Sequence, residues 1–212
     1  MLHRLSLKKI FPLLLIPALL LSAFFLFSSG KAQKRFDAFS KEMFEKEMTA
    51  NTLNMHYTVA VPENYGISEY APVLSCYSQE AEEEARMDLD RYLVTLSSVS
   101  PEKLDEDSAY AYLLLSRSLS LSRKGCDFPY YAEPLSPSSG MQSELPILLA
   151  EYTFRDKRDV EDYLSLLSQT GAYFSSLLTY ETEKKEAGIP QADASLLKVA
   201  EQCHTILSEE AL

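Results

Sequence analysis

Hydrophobic and polar positions alternate along most of the chain with the period of an α-helix. Phe36, Phe39, Met43 and Phe44 recur at helical spacing with lysine and glutamate between them, predicting an amphipathic helix over 32–48. Its aromatic face needs a partner. The stretch "NTLNMHYTVAVPENYG" (51–66) changes character: Asn, Thr, Tyr and Val near alternation, closed by Pro62 and Gly66, predict an extended piece or an irregular crossing. Helix resumes over 78–97, with Ala85, Leu89, Tyr92, Leu93 and Leu96 on one side and the acidic "EAEEEA" early, near the positive end of the helix dipole.

Ser100-Pro101-Glu102 reads as a capped restart, with Asp105 or Asp107 as the other candidate cap for a helix that runs through Tyr110 and Leu113–Leu115 to Gly125. The segment "CDFPYYAEPLSPSSG" (126–140) holds three prolines and several serines and predicts a long loop. A flexible turn at Ser139-Gly140 follows. Pro146 suits the first turn of a short helix, and Ile147, Leu148, Leu149 and Ala150 suit a buried insert.

Asp159, with Asp162 three residues on, predicts a cap for the next helix. Its apolar face is traced by Val160, Tyr163, Leu164, Leu167, Phe174, Leu177 and Leu178, and Gly188-Ile189-Pro190 ends it. Asp193 caps a last helix containing Leu196, Leu197, Ala200 and Ile206. No fixed-period repeat is present. The expected fold class is all-α: amphipathic helices in an irregular bundle, preceded by one N-terminal hydrophobic helix.

That first element changes the organisation. "MLHRLSLKK" is a basic leader, and Ile10–Phe27 is an uncharged apolar run, followed by Ser28-Ser29-Gly30 with small residues suited to cleavage. Residues 1–30 are expected to be a signal peptide or a membrane anchor, and residues 31–212 a helical domain outside the cytoplasm. The protein is then single-pass at the cell membrane through residues 10–27, or secreted if the signal is cleaved.

Composition adds two constraints. Three of the 20 basic residues lie in the leader, leaving 17 against 31 acidic residues and about −14 for the remainder. Such a body repels the phosphate backbone, so nucleic acid is not an expected partner. Cys76, Cys126 and Cys203 are few and odd in number, which suits incidental thiols, with one bridge the alternative.

Candidate chemistry is sparse. A zinc hydrolase helix needs His-Glu-x-x-His, and neither His56 nor His204 has a second histidine one turn on. Glu201 and His204 form a single Glu-x-x-His, where carboxylate-bridged sites use two copies. A Gly-x-Ser-x-Gly elbow and Gly-rich phosphate loops are absent. No catalytic, cofactor-binding or metal residue is assigned. Tyr130 and Tyr131, each an apolar ring with a hydroxyl, and the neighbours Glu151 and Tyr152 are the candidates for lining a substrate cleft.

The runs "RFDAFSKEMFEKEMTANTLNMHYTVAVPENYGI", "PYYAEPLSPSSGMQSELPILLAEYTF" and "RDVEDYLSLLSQTGAYFSSLLTYETEKKEAGIPQADASLLKVAEQC" closely resemble a bacterial family, domain of unknown function 885. The resemblance spans nearly all of 35–203 and implies a helical zincin-like fold and zinc-dependent peptidase activity. In such relatives an HExxH-type motif and a third acidic ligand lie downstream of the region matched. No family metal ligand falls on any residue of this chain. It is therefore expected to be the amino-terminal helical part of such a peptidase, not catalytic alone and without its own cofactor. Zinc is expected in full-length relatives only, and a peptide substrate only where the catalytic half is supplied. The alternative is a free-standing extracytoplasmic helical binding module.

Overall fold

The computed structural model describes residues 30–208. Among them are seven α-helices and no strand: α1 (30–50), α2 (Thr52–Thr58), α3 (Gln79–Ser97), α4 (Glu106–Gly125), α5 (Met141–Ala150), α6 (Lys157–Glu186) and α7 (Asp193–Ile206). Short 3-10 turns occur at Pro62–Tyr65 and Pro101–Lys103. The all-α class is as expected. The apolar run Ile10–Phe27 lies outside the described residues, within which no helix is long and apolar enough to cross a membrane.

The chain divides into two units. The first comprises the described residues up to Glu42 together with Asp90–Leu121. Here the aromatic face of α1 finds its partners: Phe36 lies 6.3 Å from Tyr112, and Phe39 meets Tyr92 edge-on at 5.9 Å. Gln33 bridges the start of α4, accepting from the Asp105 N–H at 3.1 Å and donating to Ser108 Oγ at 2.8 Å. Asp105 caps α4, its carboxylate accepting the Ser108 N–H at 2.8 Å. Ser100 opens only the 3-10 turn and makes no side-chain cap.

The second unit comprises Met43–Leu89 and the chain from Ser122 onward. Its main core gathers Leu53, Leu74, Leu145, Leu149, Tyr152, Leu166, Tyr173 and Leu177. A smaller cluster of Met55, Val59 and Ile67 packs against Phe44, Met48 and Tyr70.

Residues 52–58 are helical rather than extended, and Val59 just beyond them keeps extended backbone. The Asn51 side chain accepts the Asn54 N–H at 3.0 Å and opens α2, whose buried Thr52, Leu53, Met55 and His56 form a helical face. Burial of that face outweighs the weak helix propensity of Thr and Asn. The irregular crossing comes later, over 67–78, and side chains of α6 satisfy its backbone. Gln169 accepts the Leu74 N–H at 3.0 Å and donates to the Pro72 carbonyl at 3.0 Å; Ser176 accepts the Tyr77 N–H at 3.0 Å.

The α6 start is also one turn earlier than Asp159. Asp156 is the cap, accepting from the Arg158 and Asp159 N–H groups at 2.8 and 3.1 Å, while Asp159 reaches back to the Arg155 N–H at 2.7 Å. This reciprocal pairing resembles a capping box, and it consumes donors that the first turn cannot use internally. The buried residues of α6 are Asp162, Leu166, Tyr173, Leu177, Tyr180 and Lys184. Of the face expected from sequence, Leu177 is buried, whereas Val160, Leu164, Leu167, Phe174 and Leu178 are exposed. The helix ends in a Schellman motif: Gly188 at φ 78° lets its N–H reach the Lys185 carbonyl at 3.1 Å and the Ile189 N–H reach Lys184 at 3.0 Å.

Further expectations are corrected in α5, α7 and α3. Pro146 lies inside α5 rather than in its first turn, because Gly140 opens the helix well before it; Ile147 and Ala150 are exposed. Asp193 is the first residue of α7, after Ala192 as cap, so its carboxylate sits where the dipole favours it without a capping bond. Leu196, Leu197 and Ala200 face outward while Val199 is buried. Ala85 is exposed as well, so the buried side of α3 is its later half, at Tyr92 and Leu96.

Gly140 is a packed junction, not a flexible turn. A Cβ there would stand 2.3 Å from the Ser136 amide nitrogen and 2.5 Å from its carbonyl oxygen. Backbone cannot yield to a methyl as a side-chain tip can. Gly140→Ala is expected to lower stability by about 1–3 kcal/mol, read from the urea midpoint at unchanged slope.

Candidate functional site

Tyr152 leads from the sequence to the most chemically dense place in the second unit. It follows α5, is buried, and its ring stacks on the His56 imidazole at 3.7 Å with planes 12° apart. Phe154 and Tyr163 back it at 5.6 and 5.3 Å. Tyr57 closes the other side of His56 edge-on at 5.4 Å. The imidazole is fixed between aromatic rings at the carboxyl end of α2.

Around it stand the charged groups of the α6 start. His56 Nδ1 lies 3.4 Å from Asp159 Oδ1 and 3.4 Å from Arg155 Nη1, while Arg155 Nη2 donates to the His56 carbonyl at 3.1 Å. Three residues on, buried Asp162 accepts the Tyr70 hydroxyl at 2.7 Å. The Arg158 guanidinium lies 3.9 Å over the Tyr70 ring and donates to the Ser68 carbonyl at 2.8 Å. These groups line a cavity of about 210 Å³.

The environment sets the protonation states. Burial, then the Arg155 charge, lowers the His56 pKa below its usual value, against the opposing pull of Asp159 and Asp162, so the ring is neutral at pH 7. Burial and the bond to Asp162 push Tyr70 far above the phenol range, and burial with the Asp159 and Asp162 charges does the same to Tyr152. Neither tyrosine is a phenolate at any ordinary pH. At the same 3.4 Å from Nδ1, the Asp159 carboxylate can only accept and the Arg155 guanidinium can only donate, so the two favour opposite tautomers of the ring. Its Nε2 is buried and has no hydrogen-bond partner within the protein.

Tyr130 and Tyr131 lie elsewhere, in the loop 126–140. Helix side chains pin this loop by its carbonyls: Lys184 and Tyr180 donate to Ala132 at 3.1 and 3.3 Å, Gln191 to Leu135 at 2.8 Å, Gln142 to Ser136 at 2.7 Å and Gln202 to Pro137 at 2.9 Å. Tyr130 is the one non-glycine among the described residues with positive φ, 64°. A bulky residue there is strained, and such strain gathers at functional sites. Its ring leans on Tyr180 at 5.6 Å, while Tyr131 is 82% exposed and meets Phe128 edge-on at 6.3 Å. Together with Glu82 and Arg86 they border a groove of about 660 Å³.

The four cleft candidates therefore split. Tyr130 and Tyr131 share one groove, Tyr152 lines the His56 cavity, and Glu151 is exposed at the carboxyl end of α5, near enough to Tyr57 to raise its pKa after burial. Sequence reasoning missed His56, Tyr70, Arg155 and Asp162 as one cluster. The available signal was Asp159 and Asp162, which at i, i+3 share a helix face; the partners on α2 and at Tyr70 come from long-range packing.

The described residues do not fit zinc. No three His, Cys, Asp or Glu side chains among them converge on a point, and Glu201 is engaged with Lys198 at 2.8 Å beside an exposed His204. Cys76, Cys126 and Cys203 are all free thiols.

A family model described as bacterial protein of unknown function (DUF885) matches residues 63–212, and the chain belongs to that family. No curated protein and no solved structure matches it.

Proposed function

We propose that this member of the DUF885 family is the helical, non-catalytic part of a zinc-dependent peptidase system. It packs through α6 against polypeptide that carries the metal site, and it offers the Tyr130–Tyr131 groove to peptide. The observation that carries the reading is the α6 stripe of Val160, Leu164, Leu167, Phe174 and Leu178, whose steps of four, three, seven and four residues make one straight apolar seam exposed along the helix. Seams of this kind are ordinarily buried against another helix. The zincin-like resemblance supplies the chemistry of the partner, and the apolar run Ile10–Phe27 supports export or anchoring at the cell membrane.

The test is peptide hydrolysis by the purified full chain with added zinc. No turnover is expected alone, with zinc-dependent turnover once an HExxH-bearing polypeptide of the family is supplied. Zinc-dependent hydrolysis by the chain alone overturns the reading. In the same preparation, the pair Leu164→Glu and Leu178→Glu is expected to abolish binding of that polypeptide. Unfolding free energy should stay within about 0.5 kcal/mol per substitution, because both positions are exposed.

A free-standing extracytoplasmic binding module is the second reading. It is favoured by the His56 cavity, whose walls all come from one unit.

A further inference from the structure

We propose that the groove beside Tyr130 and Tyr131 docks a peptide segment in which a basic residue stands next to an apolar one. The lysine or arginine side chain sits among Tyr77, Tyr130 and Tyr180, and the apolar neighbour lies along Phe128 and Tyr131. This preference rests on the groove being a peptide site at all.

The groove of about 660 Å³ adjoins a smaller cavity of about 330 Å³, and the two share Gln79, Glu82, Tyr130 and Tyr180 as walls. All of these walls belong to the second unit. In the smaller cavity Tyr180 stands 5.6 Å from Tyr77 and 5.6 Å from Tyr130, with the planes inclined at 55° and 51°. Inclined aromatic rings wall a space from several sides. They attract a cation and accept the methylenes of its stem. About 330 Å³ is many times the roughly 30 Å³ share of one water, which leaves room for such a side chain.

Charge selects the occupant. Glu82 and Glu183 line the smaller cavity, and no basic residue does. The larger groove adds Glu83 against Arg86. Tyr130 directs its hydroxyl at Glu183 Oε2 at 3.5 Å, a neutral contact that leaves the carboxylate its charge. Lys184 is buried, lines neither cavity and donates to the Ala132 carbonyl at 3.1 Å. That bond, with the one from Tyr180 at 3.3 Å, holds the loop with Tyr130 at its strained φ of 64°, so the wall stands before a peptide arrives and little ordering is left for binding to offset. Farther out, Phe128, Pro129 and Ala132 make the lining apolar beside the 82% exposed Tyr131. An exposed aromatic surface next to an acidic one complements a basic residue with an apolar neighbour and repels an acidic peptide.

Calorimetry on the full chain in detergent uses three blocked tetrapeptides: acetyl-Ala-Lys-Phe-Ala-amide and its forms with glutamine or glutamate in place of lysine. The lysine peptide is expected to bind roughly five- to tenfold more tightly than the glutamine one, with the glutamate one weakest. Equal binding of the lysine and glutamine peptides overturns the basic preference and leaves the groove as a peptide site. Binding of none of the three overturns the peptide site and the preference with it.

An acidic body attracts any cationic peptide, so the position of the site needs its own readout. Glu82→Gln with Glu183→Gln is expected to bring the lysine peptide to the affinity of the glutamine one. Glu47→Gln with Glu102→Gln neutralises two exposed glutamates that line neither cavity and should keep the preference. Equal loss in the two double variants, or an unchanged preference in the folded Glu82→Gln, Glu183→Gln protein, overturns the site. Should that protein not fold, Glu82→Gln alone, exposed early in α3, carries the same test.

Discussion

Leu166→Ala is expected to lower the unfolding free energy by about 2–5 kcal/mol, whereas Leu164→Ala, two residues away on the same helix, should change it by no more than about 0.5 kcal/mol. Leu166 is 0% exposed and sits in the main core with Leu145, Leu149, Tyr173 and Leu177. Removing its isobutyl group forfeits its transfer free energy and leaves a cavity whose walls, held by α5 and α6, collapse only in part. Leu164 is 58% exposed and loses little. Urea titrations of the two variants decide which face of α6 is inside. The register read from the apolar pattern alone predicts the reverse ordering, so equal effects, or a larger one at Leu164, overturn this assignment of the core.

The second large effect is at alkaline pH. Burial raises the phenol pKa of Tyr152 and Tyr173 well above 10 and pushes Tyr180 up to about 12, the last with help from the Glu82 and Glu181 charges. Unfolded, each ionises near 10. A group whose folded pKa is raised contributes stability that is complete below its unfolded value and is lost as pH rises toward the folded one. Stability should therefore be insensitive to these residues below pH 10. Above it, each tyrosine should cost about 1.4 kcal/mol per pH unit, and the three together about 4. That rivals the 5–15 kcal/mol total of an ordinary domain within one or two pH units. Phenolate absorbance and helical circular dichroism, followed together, give the test. Tyr152, Tyr173 and Tyr180 should ionise only in a cooperative step with helix loss. A single titration near 10 with helix intact overturns the burial of these rings. Tyr173→Phe should make the step shallower.

Much of the fold is legible in the sequence because helix signals are local. The Gly188 stop and the long Pro-rich loop before Gly140 each depend on a residue and its near neighbours and are where the pattern puts them, while the α4 cap is Asp105, one of the two alternatives to Ser100. The departures share one cause. Around 51–66, at Pro146 and along α6 and α7, two local patterns compete on nearly equal terms. Helix α6 shows the case plainly: it carries one apolar stripe at 160, 164, 167, 174 and 178 and another at 166, 173, 177 and 180. Buried Asp162 and Lys184 give the latter stripe the more polar character, yet each has its partner, the Tyr70 hydroxyl and the Ala132 carbonyl. A periodicity count cannot see those partners.

The candidate site divides in the same way. Tyr130 and Tyr131 stand out by residue type, and Tyr152 by its place in the family's sequence pattern. That Tyr152 stacks on an imidazole 96 positions earlier in the chain is a product of packing alone. By itself the sequence determined the all-α class, several helix ends and the acidic body, because these rest on composition and short-range geometry, and its resemblance to known sequences gave the family. Only the tertiary structure decided which stripe of α6 is core, and that His56 of α2, Tyr70 and the charged groups of the α6 start line one cavity, with Asp159 and Arg155 against the imidazole. Contacts over such separations are set by which buried surfaces fit, and no local pattern encodes that fit.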